Sequence, residues 1–216
     1  GPGIAEIDAA DCWVLPGLVD IHTHGLRDTA VDRDDIRRFA AHQLSCGVTA
    51  CLATLAGSAD EDVARMRAIL AETERFALTP NIAGFRPEIL DVADASAGPA
   101  ASLELPNEAT TRALWETAEG RIRIWDVSPE LPGALEFVSW CRAHGVTASM
   151  AHSSASIDEV RAAVDAGLSL VTHFYDLFPQ PREADRGVYP AGVTDYINTE
   201  DRLSVEIVPD GVQLTD

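Results

Sequence analysis

The stretch Pro16-Gly17-Leu18-Val19-Asp20-Ile21-His22-Thr23-His24-Gly25 decides how the rest of the chain is read. Leu18–His22 is a short apolar and β-branched run with Pro-Gly before it, which predicts a strand. Residues two apart in a strand face the same way, so His22 and His24 are expected to project together from its C-terminal end, with Asp20 on the same face. Two converging imidazoles are a natural start for a metal site. An isolated pair of this kind is common in chains that bind no metal, and Asp20 alone reads as a buried hydrogen-bond acceptor. The pair therefore gains its meaning from what the remaining sequence sets beside it.

Outward from this strand, β-rich runs alternate with helix-periodic runs to the end of the chain. Further strands are expected at Val48–Leu55, Asn81–Phe85, Arg121–Val127, Val146–Ala151, Leu168–His173 and Leu203–Val208. Between them, Ile36, Phe39, Ala40 and Leu44 follow the helical period, as do Val63, Met66, Ile69 and Leu70. Asn107 is placed to cap a third helix running to Gly120. Pro132 suits the first turn of a fourth before Leu135, Val138 and Trp140. Ser156 and Glu159 form a capping box for a fifth, leading into Val160 and Val164. Helices between successive strands imply right-handed crossovers and a parallel sheet, hence an α/β fold. Seven units favour a (β/α)8-type TIM barrel lacking its eighth strand over a doubly wound sheet; periodicity alone leaves both open. Leu90–Pro106 and Phe178–Thr194 break the rhythm and are expected as loops at the C-terminal face, where barrel active sites are built.

Composition narrows the function. The 216 residues are 46% hydrophobic and 24% charged, which fits one globular domain. Sixteen basic residues, all arginine, face 35 acidic ones, for a net charge of −19. Such a surface repels phosphate backbones and anionic lipid, so nucleic acid and membranes are not expected partners. No apolar run approaches the roughly 20 residues of a membrane span. Cys12, Cys46, Cys51 and Cys141 form no CxxC pair and read as thiols of a reducing, cytoplasmic compartment. Gly1-Pro2 has the look of a tag scar.

Position gathers the other candidate ligands. His152 closes the fifth expected strand, His173 the sixth, and Glu88 follows the third. Four of the six histidines and a carboxylate thus stand at C-terminal strand ends, on one face of the expected barrel. His42 and His144 fall on helices and are expected to be packed or solvated.

On these motifs the sequence resembles the amidohydrolase superfamily, and within it the N-acetylglucosamine-6-phosphate deacetylases. Pro16–Gly25 is similar to the family's opening P-G-x-x-D-x-H-x-H-G, and Gly47-Val48-Thr49 with Thr54 to its second strand. Gly84-Phe85-Arg86-Pro87-Glu88 resembles G-x-H-x-E, with Arg86 in place of the histidine. Val127-Ser128-Pro129-Glu130 is similar to the family's x-x-P-E turn after the fourth strand. Ala151-His152-Ser153-Ser154-Ala155 and Thr172-His173-Phe174-Tyr175-Asp176-Leu177-Phe178 resemble the two histidine motifs, with Asp176-Leu177 where the family has Asn-Ala. Pro209-Asp210-Gly211-Val212-Gln213 is similar to A-D-G-x-H, with Gln213 in place of histidine.

The resemblance implies a metal-dependent C–N hydrolase that attacks the N-acetyl amide of an amino sugar phosphate, or a similar small N-acyl substrate, with a metal-activated water. It implies Glu88, His152 and His173 as the main metal ligands, with His22 and His24 able to hold a second ion. The cofactor is expected to be one or two divalent ions, zinc first, since imidazole and carboxylate suit it. With no lysine in the chain a carbamylated lysine is impossible, and Glu88 is left to bridge two ions. Arg86, Asp176, Arg186, Asp210 and Gln213 are the expected substrate-binding residues. The family's general base, an aspartate on strand eight, is expected beyond Asp216. Residues 1–14 are read as the scar and a remnant of the family's small β-domain, and 15–216 as the incomplete barrel. Unpaired edges at its first and last strands predict a homo-oligomer or a complementing segment. Two other readings stay open: an inactive metal-binding fragment, and an amidohydrolase that opens a cyclic amide or deaminates.

Overall fold

The computed structural model describes residues 7–77, 81–88, 107–175, 178, 181–208 and 211–212. Its strands are β1 (Leu18–Thr23), β2 (Gly25–Leu26), β3 (Thr29–Ala30), β4 (Val48–Leu55), β5 (Ile82–Pro87), β6 (Ile124–Val127), β7 (Thr147–Met150), β8 (Leu170–Val171) and β9 (Ser204–Val205). Its helices are α1 (Ile36–Ser45), α2 (Ala59–Arg75), α3 (Glu108–Thr117), α4 (Ala134–Ala143), α5 (Ile157–Ala166) and α6 (Val193–Ile197). β1, β4 and β5 form one parallel sheet, and β6 to β9 a second. A parallel bridge between Phe85 and Ile122 links the two. The Phe85 N–H donates to the Arg121 carbonyl at 2.9 Å, and the Arg123 N–H to the Phe85 carbonyl at 3.0 Å. Seven parallel strands thus follow one another in chain order, the α/β arrangement expected from the alternation of elements.

The helices pack one stripe onto the strands. Ile36, Phe39, Ala40 and Gln43 are buried on α1, and Val160, Ala163 and Val164 on α5. The second half of β4 is buried residue after residue, as a strand covered on both faces requires. Caps fall where polar residues were placed to make them. Asn107 accepts from the Thr110 N–H at 2.8 Å, and Glu159 from the Ser156 N–H at 2.7 Å. Two motif glycines admit close approach of neighbouring chain. A Cβ on Gly17 would lie 2.1 Å from Thr49 Oγ1, and one on Gly84 2.3 Å from the Arg121 carbonyl oxygen.

Three details differ from expectation. The β2–β3 hairpin, closed by Thr29 Oγ1 donating to the Leu26 carbonyl at 2.7 Å, was not anticipated because its strands are too short to show a period. The segment Phe178–Thr194, expected as loop, ends inside the short helix α6. α4 begins at Ala134 with Gly133 as its N-cap, so Pro132 lies before the helix and not in its first turn.

β1 and β9 stand at the two ends of the strand order. Their C-terminal ends are joined by side chains: Arg86 Nη1 donates to the Ile21 carbonyl at 3.1 Å and to Glu206 Oε1 at 2.7 Å. Leu18, Val19 and Ile21 on β1 and Val205 and Ile207 on or beside β9 are exposed.

Candidate metal centre

The strand order brings five chemically active side chains to one place. His22 ends within β1 and His24 follows it, Glu88 comes one residue after β5, and His152 and His173 each come two residues after their strands, β7 and β8. His152 and His173 Nε2 lie 3.2 Å apart. Glu88 Oε1 lies 3.3 Å from His152 Nε2, 3.5 Å from His173 Nε2 and 3.3 Å from His22 Nε2. Its Oε2 lies 2.5 Å from His24 Nε2, which is 3.4 Å from His22 Nε2. Two donor groups result, His22–His24–Glu88 and Glu88–His152–His173, sharing the carboxylate.

Local backbone aims these rings. The β1–β4 register shifts between Asp20 and Thr23, a bulge at the end of β1. Asp20 consequently does not join the histidines; it accepts from Gln43 Nε2 of α1 at 3.2 Å and from the His22 N–H at 3.1 Å. His152 and His173 adopt left-handed backbone, φ 46° and 30°, a costly conformation for residues with a side chain. The turn after β6 holds the first of them. Ser128 Oγ donates to the Ala151 and His152 carbonyls at 2.8 and 3.2 Å. Glu130 accepts from Ser153 Oγ at 2.7 Å and from the Ser154 N–H at 2.5 Å.

Charge decides what the site can hold. Beside the imidazoles lie three carboxylates, Glu88, Glu206 and Asp126, which are 4%, 12% and 0% exposed at the side chain, against one guanidinium, that of Arg86. Two negative charges are left over, and their burial is tolerable only if cations compensate them. Without a metal, protons do so. Burial works against a charged His22, but the Glu206 and Glu88 carboxylates outweigh it and raise its pKa to about 9. Burial likewise opposes ionisation of Glu88, yet the four surrounding imidazoles hold its carboxyl far below the usual range.

The donor set also fits a divalent ion by geometry. A tetrahedron with bonds of about 2.0–2.1 Å to nitrogen and oxygen has edges of roughly 3.3 Å. The 3.2–3.5 Å separations within Glu88–His152–His173 have that size. His152 and His173 Nδ1 are buried with no hydrogen-bond partner among the described residues.

The expected substrate-binding residues fare differently. Arg86 is 0% exposed and does not present its guanidinium to a ligand. Its Nε and Nη2 bind Asp126 at 2.7 and 2.9 Å, Nη2 also reaches Thr172 Oγ1 at 2.8 Å, and Nη1 takes Glu206. In this structure, then, Arg86 is an internal tie among strands, because two carboxylates, the Thr172 hydroxyl and the Ile21 carbonyl take up its donors. Arg186 is exposed on the turn closed by the Asp185–Val188 bridge. Asp176, Asp210 and Gln213 lie outside the described residues. Asp126 and Glu206 were missed in the sequence. Asp126 lies within the otherwise apolar β6 and Glu206 directly follows β9, between Val205 and Ile207, and a lone carboxylate among apolar residues at a strand's C-terminal end could have flagged them.

Among known proteins, no family model matches the chain. It is 27% identical over 219 residues to an N-acetylglucosamine-6-phosphate deacetylase of Vibrio furnissii, covering 92% of this chain and 50% of that one. An N-acetylgalactosamine-6-phosphate deacetylase of Escherichia coli O157:H7 is 25% identical, covering 96% and 55%. A crystal structure of N-acetyl-D-glucosamine-6-phosphate deacetylase from Mycobacterium smegmatis superposes with a TM-score of 0.79 at 26% identity, over 92% of this chain and 56% of that one. The chain spans about half the length of the curated relatives it matches. In sequence and in backbone it is similar to the N-acetylglucosamine-6-phosphate deacetylases, hydrolases of amidohydrolase type.

Proposed function

We propose that this chain carries the cation centre of a metal-dependent amidohydrolase that removes the acetyl group from a small N-acetylated amino sugar phosphate. The observation that carries the reading is the meeting of four imidazoles on the buried Glu88 carboxylate, at strand ends distant in sequence. Glu88, His152 and His173 hold one divalent ion, zinc foremost, and His22 and His24 with the shared Glu88 hold a second. Such an ion, when bound, acidifies water towards neutral pH and polarises an amide carbonyl. The protein's own part is to keep the donors fixed: Ser128 and Glu130 pin the backbone at His152, and burial keeps bulk water from the His152 and His173 rings. The likeness to both glucosamine and galactosamine phosphate deacetylases supports the substrate class without choosing the sugar. Arg186, exposed on its turn, is free to meet an anionic group, and Asp176, Asp210 and Gln213 remain candidates for sugar contacts.

The finer structural reading is a (β/α) barrel whose β1 and β9 edges are completed by a further strand, from a complementing segment or a second copy. The exposed apolar residues on both edges, Val19 at 67% and Ile207 at 51% among them, support it. No described helix is long and apolar enough to cross a membrane, and the four cysteines are free thiols, which suits the cytoplasm.

Metal analysis of the dialysed protein, paired with an acetate-release assay on N-acetylglucosamine 6-phosphate and its galactosamine counterpart, tests the function. Bound zinc with acetate release is expected. Bound metal without turnover on either sugar favours a metal-binding unit, and no metal at all refutes the centre. Mass by size exclusion tests the edges: a stable monomer at dilution counts against association.

A further inference from the structure

We propose that Glu206, fixed by Arg86, is a positioning residue of the cation centre: it takes the Nδ1 proton of His22 and leaves Nε2 of that ring to face Glu88. The proposal rests on the metal centre described above and adds a residue to it.

His22 lies between two carboxylates. Its Nε2 is 3.3 Å from Glu88 Oε1, and its Nδ1 is 3.4 Å from Glu206 Oε2. Glu206 is ionised, since Arg86 binds its other oxygen at 2.7 Å, and a carboxylate only accepts. The proton of that contact must therefore sit on His22 Nδ1. Without an ion Nε2 also faces a carboxylate, Glu88 at 3.3 Å, and carries a second proton; a cation held between Nε2 and Glu88 would replace that proton, while the one on Nδ1 stays with Glu206. Metal-bound histidines ordinarily donate their second N–H to a carboxylate or carbonyl, which fixes the tautomer and ring orientation. Among the described residues His152 and His173 have no such partner on Nδ1, so in this cluster the device is seen at His22.

Glu206 is itself held from behind. Arg86 is 0% exposed and anchored by two bonds to Asp126, at 2.7 and 2.9 Å, and by Thr172 at 2.8 Å. Thr172 in turn contacts Ser149 Oγ at 2.6 Å. The chain Asp126–Arg86–Glu206–His22 therefore runs from β6 through β5 and past β9 to β1, and every link is polar and largely enclosed. At its outer end a side chain of β1 meets that of the residue directly after β9. The orientation of His22 is thus coupled to the seating of β9, through Glu206.

Glu206→Gln distinguishes positioning from packing. The variant preserves shape, and its amide oxygen is claimed by Arg86. The amide nitrogen then faces His22 Nδ1 and asks it to accept, which moves the ring proton to Nε2 and blocks the metal-facing atom. With zinc as probe, in competition with a chromogenic chelator, at least one bound ion should weaken by about 10–100-fold, with circular dichroism and melting temperature near those of the parent protein. Unchanged zinc affinity in the folded variant overturns the proposal while leaving the metal centre intact. A parent protein that binds no zinc overturns both. Should the variant not fold, 15N-histidine spectra of the zinc-loaded parent decide. A proton on His22 Nδ1 with Nε2 metallated supports the assignment, and a proton on Nε2 rejects it.

Discussion

The Nε2 atoms of His152 and His173 lie 3.2 Å apart with their rings edge to face, and their Nδ1 atoms are buried without partners among the described residues. Two ring nitrogens so placed must share a proton or a cation. A divalent ion that binds the folded chain and not the unfolded one adds stability that grows with the logarithm of its concentration over Kd, roughly 4 kcal/mol at a thousandfold excess. For a domain of this size that is a rise in melting temperature of roughly 10 °C. Thermal scans with zinc, and after treatment with a chelator, should show this difference. Identical scans would mean that the two histidines meet for reasons of packing.

Glu88 belongs to both donor groups, whereas His24 belongs to one. Glu88→Ala should therefore abolish metal retention, and His24→Ala should remove one group and leave Glu88–His152–His173 standing. The exposures agree with this order: the side chain of His24 is 51% exposed and that of Glu88 is 4%. Metal-to-protein ratios measured by mass spectrometry after dialysis will separate the two variants. Equal loss in both would show that a single ion needs all the donors.

Arg86 is the guanidinium that binds two enclosed carboxylates, Asp126 and Glu206. Arg86→Met preserves much of the side-chain volume but strands Asp126 and Glu206, and removing one member of a buried ion pair costs about 3–5 kcal/mol. Urea unfolding should show a much lower midpoint at an unchanged slope. A loss under about 1 kcal/mol would mean that water reaches these carboxylates.

Much of this arrangement is legible in the sequence, and the boundary has physical causes. The seven strands show as short apolar or β-branched runs and five of the helices as apolar stripes with the helical period, and their caps are local chemistry. Ser156 with Glu159 and Asn107 with Thr110 need only neighbours a few residues away. His22, His24, Glu88, His152 and His173 show because metal-ligating residue types recur at strand ends. Arg86 reads as a ligand for a substrate anion because nothing local reveals its partners, which stand 40 and 120 residues further on. Asp20 shares the histidines' face by strict alternation and alone reads as a hydrogen-bond acceptor; the second reading holds, since beside a register shift between it and Thr23 it accepts from Gln43 of α1 and from the His22 N–H. Charge pairing across the strand order and a local break of period are decided by tertiary structure, and neither leaves a pattern in one segment.

Asp62 offers a test of stability away from the centre. It lies in α2, 3% exposed, with Oδ1 accepting from the Gly57 N–H at 3.1 Å and Oδ2 without a partner among the described residues. Burial pushes its carboxyl up to about 7 from 3.8; the Gly57 N–H opposes this, and the charges of Glu61 and Asp32 assist. Between those two values the folded chain keeps a proton that the unfolded chain has released. Stability therefore falls as pH rises through this window, and the full penalty stands above about 7. Its ceiling is of order 4 kcal/mol. Asp62→Asn keeps the shape and removes the charge, so the variant should exceed the parent in unfolding free energy at pH 8 and by clearly less at pH 5. Urea titrations at the two pH values measure the difference, and a gap that does not widen from pH 5 to pH 8 would show that Asp62 ionises in the folded protein at its ordinary pKa.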